Sequence, residues 1–204
     1  MNTIKNTTMR ITGGLLVRRT FFIPPLLQEG VVRPATDRIR ESLFATLNPV
    51  MQNAKVLDLF AGSGSYGFES ISRGALEVTF VEKNRLIYDC LQKSIQKLGL
   101  ENCTKSYLSS DQEFLLINKN KYDIVFLDPP FALKLDKDFI CSLLNLLHSK
   151  SLVIFRYSKK DSCLFDDNDL QNKFFIAKEK IYGSSKILFL NINLQGDKDA
   201  ANNE

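Results

Sequence analysis

The chain is poor in the residues that most readily carry acyl transfer or hold a structural metal. Of its 204 residues, one is histidine (His148) and four are cysteines: Cys90, Cys103, Cys141 and Cys163. Without a second histidine, histidine-based acyl transfer has little to work with. The cysteines are widely spaced and form no C-x-x-C pair. This argues against a structural zinc site and for ordinary reduced thiols. No apolar run approaches the roughly 20 residues that span a bilayer. The stretch from Met1 to Thr8 has no apolar signal core, so a cytoplasmic protein is expected. No internal repeat is visible. What remains is ordinary for a globular protein: 44% apolar and 25% charged residues, in a chain long enough for one domain and an appendage.

The net charge is only +4, but it is unevenly spread. Residues 1–40 hold seven bases, Lys5, Arg10, Arg18, Arg19, Arg33, Arg38 and Arg40, against Glu29 and Asp37. That segment is +5 and the rest of the chain −1. A basic arm on a nearly neutral body suggests an anionic macromolecular partner, with a solvated surface as the plainer alternative. The arginines could grip phosphates, although Arg40 could instead form an internal ion pair with Glu41.

Pattern divides the chain into a β-rich extension and an alternating body. Residues 1–8 read as a disordered lead-in. Residues 9–35 mix β-formers with Gly13-Gly14 and Pro24-Pro25, as one or two hairpins would. Thr36 or Asp37 could cap a helix with a stripe of Ile39, Leu43, Phe44 and Leu47, ending at Asn48-Pro49. Strands are then expected at 55–60, 78–82, 104–109, 122–127 and 151–156. The helices between them fall at 64–73, 84–98, 111–117 and 137–148. Nearly continuous apolar strands alternating with helices predict a doubly wound, mostly parallel α/β sheet over 36–194. Two strands, 173–181 and 186–192, flank Tyr182-Gly183-Ser184-Ser185 and predict a terminal antiparallel hairpin. Residues 195–204 are polar and expected to fray. His148 should lie near a helix end, at the surface or against the helix dipole.

Two motifs sit where such strands end. Val56-Leu57-Asp58 runs into Leu59-Phe60-Ala61-Gly62-Ser63-Gly64-Ser65-Tyr66-Gly67, and the glycines let the backbone turn sharply and approach a ligand. Glu82 ends the next strand 20 positions after Gly62, where an acid can hold both hydroxyls of a ribose. Asp58 could attract an ammonium or simply orient the loop. Asp111 could accept from an adenine amine or cap the helix 112–117. Tyr66 could edge a cofactor or pack on the sheet. The second motif is Asp128-Pro129-Pro130-Phe131, after the apolar run Ile124–Leu127. Proline fixes φ and removes the N–H donor, so a carboxylate and a nearby carbonyl can together grip an NH2 group while a ring stacks on a flat base. A lone glycine loop is shared with nicotinamide enzymes. The pair of motifs points instead to a methyltransferase using S-adenosyl-L-methionine, without a metal.

In order along the chain, Met9-Arg10-Ile11-Thr12-Gly13-Gly14, Arg33-Pro34-Ala35-Thr36-Asp37-Arg38-Ile39-Arg40-Glu41, Asp58–Gly64 and Asp128–Phe131 resemble the RsmD-type bacterial 16S rRNA (guanine-N2)-methyltransferases, over about residues 9–193. The resemblance implies the class I S-adenosylmethionine-dependent methyltransferase (Rossmann-like) fold. It also implies methylation of the N2 amine of one guanine in 16S rRNA, in the assembled 30S subunit; a monomer is expected. On matching positions, Asp58, Gly62, Gly64, Glu82 and Asp111 would serve the cofactor, with Phe60, Ala61 and Gly67 in the same loop. Asp128 and Pro129 would hold the amine, with Pro130 completing the corner and Phe131 stacking on the base. Arg10, Arg18, Arg19, Arg33, Arg38 and Arg40 are the candidate RNA contacts. Two departures stand out. Family members usually start at the position of Met9, which makes Met9 a candidate initiator. They also carry a Gly-Arg pair where this chain has Arg18-Arg19. The rival readings are a DNA adenine-N6 or protein glutamine methyltransferase, a nicotinamide-dependent dehydrogenase, and a catalytically silent RNA-binding protein.

Overall fold

A computed structural model describes residues 7–25, 36–130, 133–161 and 164–193. The chain falls into two units, Met1–Ile117 and Asn118–Glu204. Three strands of α/β sheet belong to the first unit and four to the second.

In the first unit, β1 (Thr8–Arg10) and β2 (Thr20–Phe22) form a short antiparallel hairpin with Met9 opposite Phe21. Residues 26–35 of the predicted extension lie outside the described residues, as do residues 1–6 of the lead-in and the tail from 194 onward. The hairpin is fastened to the body. Phe22 donates its N–H to Ser94 Oγ at 3.0 Å, and Lys97 lies 4.6 Å over the Phe22 ring.

Helix α1 (Asp37–Met51) starts as expected at Thr36, whose hydroxyl accepts from the Ile39 N–H. It does not stop at Pro49 but runs on to Met51. A proline this close to the end removes a single intrahelical bond. Continuing the turn places Met51 in the core on the stripe of Leu43, Phe44 and Leu47, all fully buried.

Strand β3 (Lys55–Asp58), helix α2 (Ser65–Ser72), strand β4 (Glu77–Glu82), helix α3 (Arg85–Leu98), strand β5 (Thr104–Leu108) and helix α4 (Asp111–Ile117) follow. The strands run parallel in the order β5-β4-β3. Asn84 caps α3, and Gly99 ends it in the left-handed conformation. Phe68 lies between Phe21 and Phe80, with ring centroids 5.1 and 5.3 Å away, so one aromatic cluster joins hairpin, helix and sheet.

The second unit holds β6 (Tyr122–Leu127), α5 (Lys137–Ser142), β7 (Leu147–Ser158), α6 (Asn168–Lys173), β8 (Phe174–Tyr182) and β9 (Ser185–Ile192), with strand order β6-β7-β9-β8. β6 and β7 are parallel; the terminal hairpin of β8 and β9 is antiparallel, as expected. The helix expected at 137–148 ends at Ser142 and tightens into a 3-10 turn over Leu143–Leu146. His148 therefore sits in a strand. The leucine run reads equally well as helix or turn, and a register shift between Tyr122 and Ile124 lets β7 begin early, with Ser151 Oγ bonded to the Tyr122 carbonyl at 2.6 Å. His148 meets Asp123 at 2.9 Å through Nε2 and accepts from the Lys150 N–H through Nδ1. That pattern puts its proton on Nε2 and removes it from any helix dipole.

Candidate active site

The glycine loop is built on β3, α2 and β4. Gly62 and Gly64 have φ of +53° and +80°, the left-handed region that glycine enters without strain. A side chain at Gly64 would also press on Leu91 and Phe68. The loop stays tied to β4: Ala61 donates to the Val81 carbonyl at 2.9 Å, and Gly62 donates to Glu82 Oε2 at 3.0 Å. The other oxygen of Glu82 accepts from the Asn84 N–H at 2.8 Å. Burial raises the Glu82 pKa above its ordinary value, against the opposing pull of these N–H donors. Each oxygen keeps a further acceptor site, so the carboxylate suits a pair of ligand hydroxyls.

Asp58 is buried, and its Oδ2 accepts from the Gly67 N–H at 3.2 Å. It thus satisfies an N-terminal donor of α2 from the neighbouring strand, the loop-orienting role foreseen for it. Phe60 is partly exposed, and Ala61 and Tyr66 are buried. Asp111 does not cap α4. Ser110 does: its hydroxyl accepts from the Glu113 N–H at 3.2 Å, and Glu113 reaches back to the Ser110 N–H at 3.1 Å. This is a capping box. It holds the Glu113 carboxyl below its usual range and leaves the Asp111 carboxylate outside the cap.

In the second unit, β6 delivers Asp128, Pro129 and Pro130 to its end. Leu133 donates to the Pro130 carbonyl at 2.8 Å, closing the corner. Phe131 lies outside the described residues. Beside the prolines is a cavity of about 250 Å³ lined also by Lys134, Phe155, Arg156, Tyr157 and Lys160. The rings of Phe155 and Tyr157 stack within it, 5.2 Å apart and 11° from parallel. Such a cavity can take a flat, partly polar group.

The residue that sequence reasoning missed is Arg156. Its Nη1 donates to both oxygens of Asp128, at 2.8 and 3.2 Å, and its Nη2 donates to Ser185 Oγ at 3.3 Å. The signal was present: Arg156 interrupts the apolar run Val153-Ile154-Phe155, and a charge in a buried strand requires a partner.

The candidate RNA arginines separate. Arg10, Arg18, Arg19 and Arg38 are exposed, and Arg33 lies outside the described residues. Arg10 pairs with Asp37 at 2.8 Å, and Arg19 donates to the Lys97 carbonyl. Arg40 is fully buried. It pairs with Glu69 and Asp37 rather than with Glu41, and it donates to the Arg10 carbonyl at 2.7 Å. No phosphate on the outside of the protein can reach it. Among the described residues, no helix is long and apolar enough to cross a membrane.

The family profile described as conserved hypothetical protein 95 matches residues 9–191. This chain is similar to a Haemophilus influenzae protein named ribosomal RNA small subunit methyltransferase D, with 36% identity over 180 residues, covering 86% of this chain and 89% of that protein. It is 31% identical to an Escherichia coli K12 protein of the same name over 199 residues, covering 94% of each. Among solved structures, the Escherichia coli yhhF protein, a methyltransferase candidate, matches with a TM-score of 0.80 at 29% identity, over 93% of this chain and all of its own. The fold is the class I S-adenosylmethionine-dependent methyltransferase type, a mostly parallel, Rossmann-like α/β sheet with a terminal antiparallel hairpin.

Proposed function

Because the chain belongs to the conserved hypothetical protein 95 family, we propose that it transfers a methyl group from S-adenosyl-L-methionine to the exocyclic N2 amine of one guanine in 16S rRNA, in the assembled 30S subunit. The observation that carries this reading is Asp128, a carboxylate closing a buried strand at a proline corner, beside a cavity with two stacked aromatic rings. It is supported by relatives named ribosomal RNA small subunit methyltransferase D over nearly the whole chain.

In this proposal the first unit holds the cofactor. Glu82 accepts from the ribose hydroxyls, Asp111 from the adenine amine, and Asp58 attracts the ammonium directly or through water. Phe60, Ala61, Gly62, Gly64 and Gly67 shape the loop that lies against it. The cofactor, when bound, would supply a methyl group on a positively charged sulfur that becomes a neutral thioether once the amine nitrogen takes the methyl, with the amine proton released to solvent.

The target guanine leaves its stack to reach the protein. Its N2 lone pair is normally delocalised into the ring. Asp128 and the Pro129 carbonyl accept from the two N–H groups, favouring a more tetrahedral nitrogen with its lone pair directed at the methyl. Pro130 stiffens the corner and Phe131 stacks on the base. Acceptors placed for the positive charge that develops on nitrogen, together with positioning, supply most of the acceleration. Residues 9–35 act as an RNA-contacting extension of the methyltransferase domain 36–194. Arg10, Arg18, Arg19 and Arg38 meet phosphates, and Arg33 joins them. The enzyme works as a cytoplasmic monomer.

The test is transfer of a labelled methyl group from S-adenosyl-L-methionine to 30S subunits lacking the modification, with naked 16S rRNA alongside and the labelled nucleoside identified. N2-methylguanosine on 30S subunits is the expected product. Label on DNA or protein instead would overturn the reading.

A further inference from the structure

We propose that Arg156 is a positioning residue acting through Asp128: it holds the carboxylate aimed as an acceptor for the amine. Ser185 of the terminal hairpin steadies Arg156. The inference rests on the proposed function, since it needs an amine at Asp128.

Strand register brings the three residues together. Leu127 pairs with Phe155 across the parallel strands β6 and β7, so the next residues in step are Asp128 and Arg156. On the other side of β7, Ser158 pairs with Ser185 and Arg156 with Ile187. Side chains two apart on a strand share a face, which makes Ser185 a diagonal neighbour of Arg156 on that face. The sequence therefore sets a carboxylate, a guanidinium and a hydroxyl in one row across three adjacent strands.

The geometry suits an acceptor. The Arg156 side chain is 9% exposed and that of Asp128 17%, so the pair is sheltered with one edge open. Each carboxylate oxygen can accept twice, and Nη1 takes one site on each. A guanidinium bonded to both oxygens fixes the plane of the carboxylate and so the direction in which it accepts. The amine proton leaves to water after methyl transfer. An apolar side chain in place of Arg156 could pack as stably, but it would no longer fix the orientation of the carboxylate.

The experiment compares wild type, Arg156→Met, Arg156→Lys, Ser185→Ala, Asp128→Asn and the Asp128→Asn, Arg156→Met double variant. The measurements are single-turnover methyl transfer to unmodified 30S subunits, KM for the subunits, the Kd of S-adenosylhomocysteine and the melting temperature. Arg156→Met is expected to lower the transfer rate about 100-fold, as misplacement of a reacting group does, with KM and Kd within about twofold. Arg156→Lys should recover part of the rate, and Ser185→Ala should lose less than Arg156→Met. The double variant should be no slower than Asp128→Asn alone, because residues acting as a unit are not additive.

A wild-type rate in Arg156→Met overturns the proposal, as does a double variant slowed by the full product of the two single losses. A loss of cofactor affinity equal to the loss of rate overturns it as well, and Ser185→Ala extends the test if Arg156→Met does not fold. A wild-type enzyme that labels no RNA overturns the functional reading and this inference together. A wild-type enzyme that labels 30S subunits but ignores Arg156→Met overturns this inference alone.

Discussion

Arg40 and Glu69, both fully buried, pair at 3.3 Å and lock the helix after the hairpin to the helix of the glycine loop. Glu69 also accepts from the Thr12 N–H at 2.7 Å and from Arg73 at 3.3 Å, while Arg40 reaches the Arg10 carbonyl. Hairpin and loop therefore share one charged junction. Replacing Arg40 by alanine takes away one of the two guanidiniums on the buried Glu69 carboxylate, leaving Arg73, and should cost about 3 kcal/mol, the low end for breaking a buried pair. Urea denaturation checks this; a variant of wild-type stability would contradict it.

Asp128→Ala should lower methyl transfer about 100- to 1,000-fold, the scale seen when one preorganised group facing developing charge is removed. Cofactor affinity should hardly change, because the residues proposed to hold the cofactor are others, Asp58, Glu82 and Asp111. Parallel titration and single-turnover measurements test the contrast, and equal losses in both would sink the assignment of Asp128 to the amine.

Burial raises the Glu82 pKa above its ordinary 4.5. A proton on Glu82 removes the acceptor proposed for the ribose hydroxyls. S-adenosylhomocysteine affinity should hold at neutral pH and fall as acidification passes through the raised pKa, before exposed carboxylates titrate. Glu82→Gln should bind weakly with no such pH dependence. The stability effect has the opposite sign: burial disfavours the ionised form, so this group costs the fold stability as pH rises through the same window. Calorimetric titration over that range decides it; an affinity that stays level to below 4.5 contradicts the role.

Gly67 sits in α2 against β4, where an added methyl would overlap the Phe80 ring and crowd Val78. Gly67→Ala should destabilise by about 1–3 kcal/mol, as overpacking does. A thermal melt without cofactor measures this, and an unchanged midpoint would show that α2 can shift outward at no cost.

Arg18 has a φ of +69°, the conformation glycine adopts freely and other residues enter at a cost. Arg18→Gly should therefore stabilise the fold by about 1 kcal/mol while weakening binding to 30S subunits, with a shallower salt dependence. Unchanged binding would remove Arg18 from the RNA surface.

Most of the architecture was legible because its signals are local. The buried strands are short apolar runs, the cap at Thr36 lies beside a helical stripe, and the Gly183 turn separates two strand patterns. The misread segments are those where distant partners decide. Leu143–Leu147 changes from helix to turn and strand because Tyr122 and Ser151 set the register. Arg40 leaves the surface because Glu69, 29 positions away, is buried opposite it. Arg156 entered no motif because its partner Asp128 lies 28 positions earlier in sequence. The individual residues of the loop and corner were visible; the ionic scaffolding behind them was not.

Helix α2 has the glycine loop at one end and the hairpin at the other. Ser72, its last residue, accepts from the Leu15 N–H at 2.6 Å and donates its hydroxyl to the Gly13 carbonyl. Eight residues of α-helix measure about 12 Å, and inserting one more would turn one end about 100° against the other. The helix is in effect a gauge block. Point substitutions on its surface leave its length intact, whereas a one-residue insertion or deletion would throw loop and hairpin out of phase at once. Length variation in this part of the chain belongs outside Ser65–Ser72.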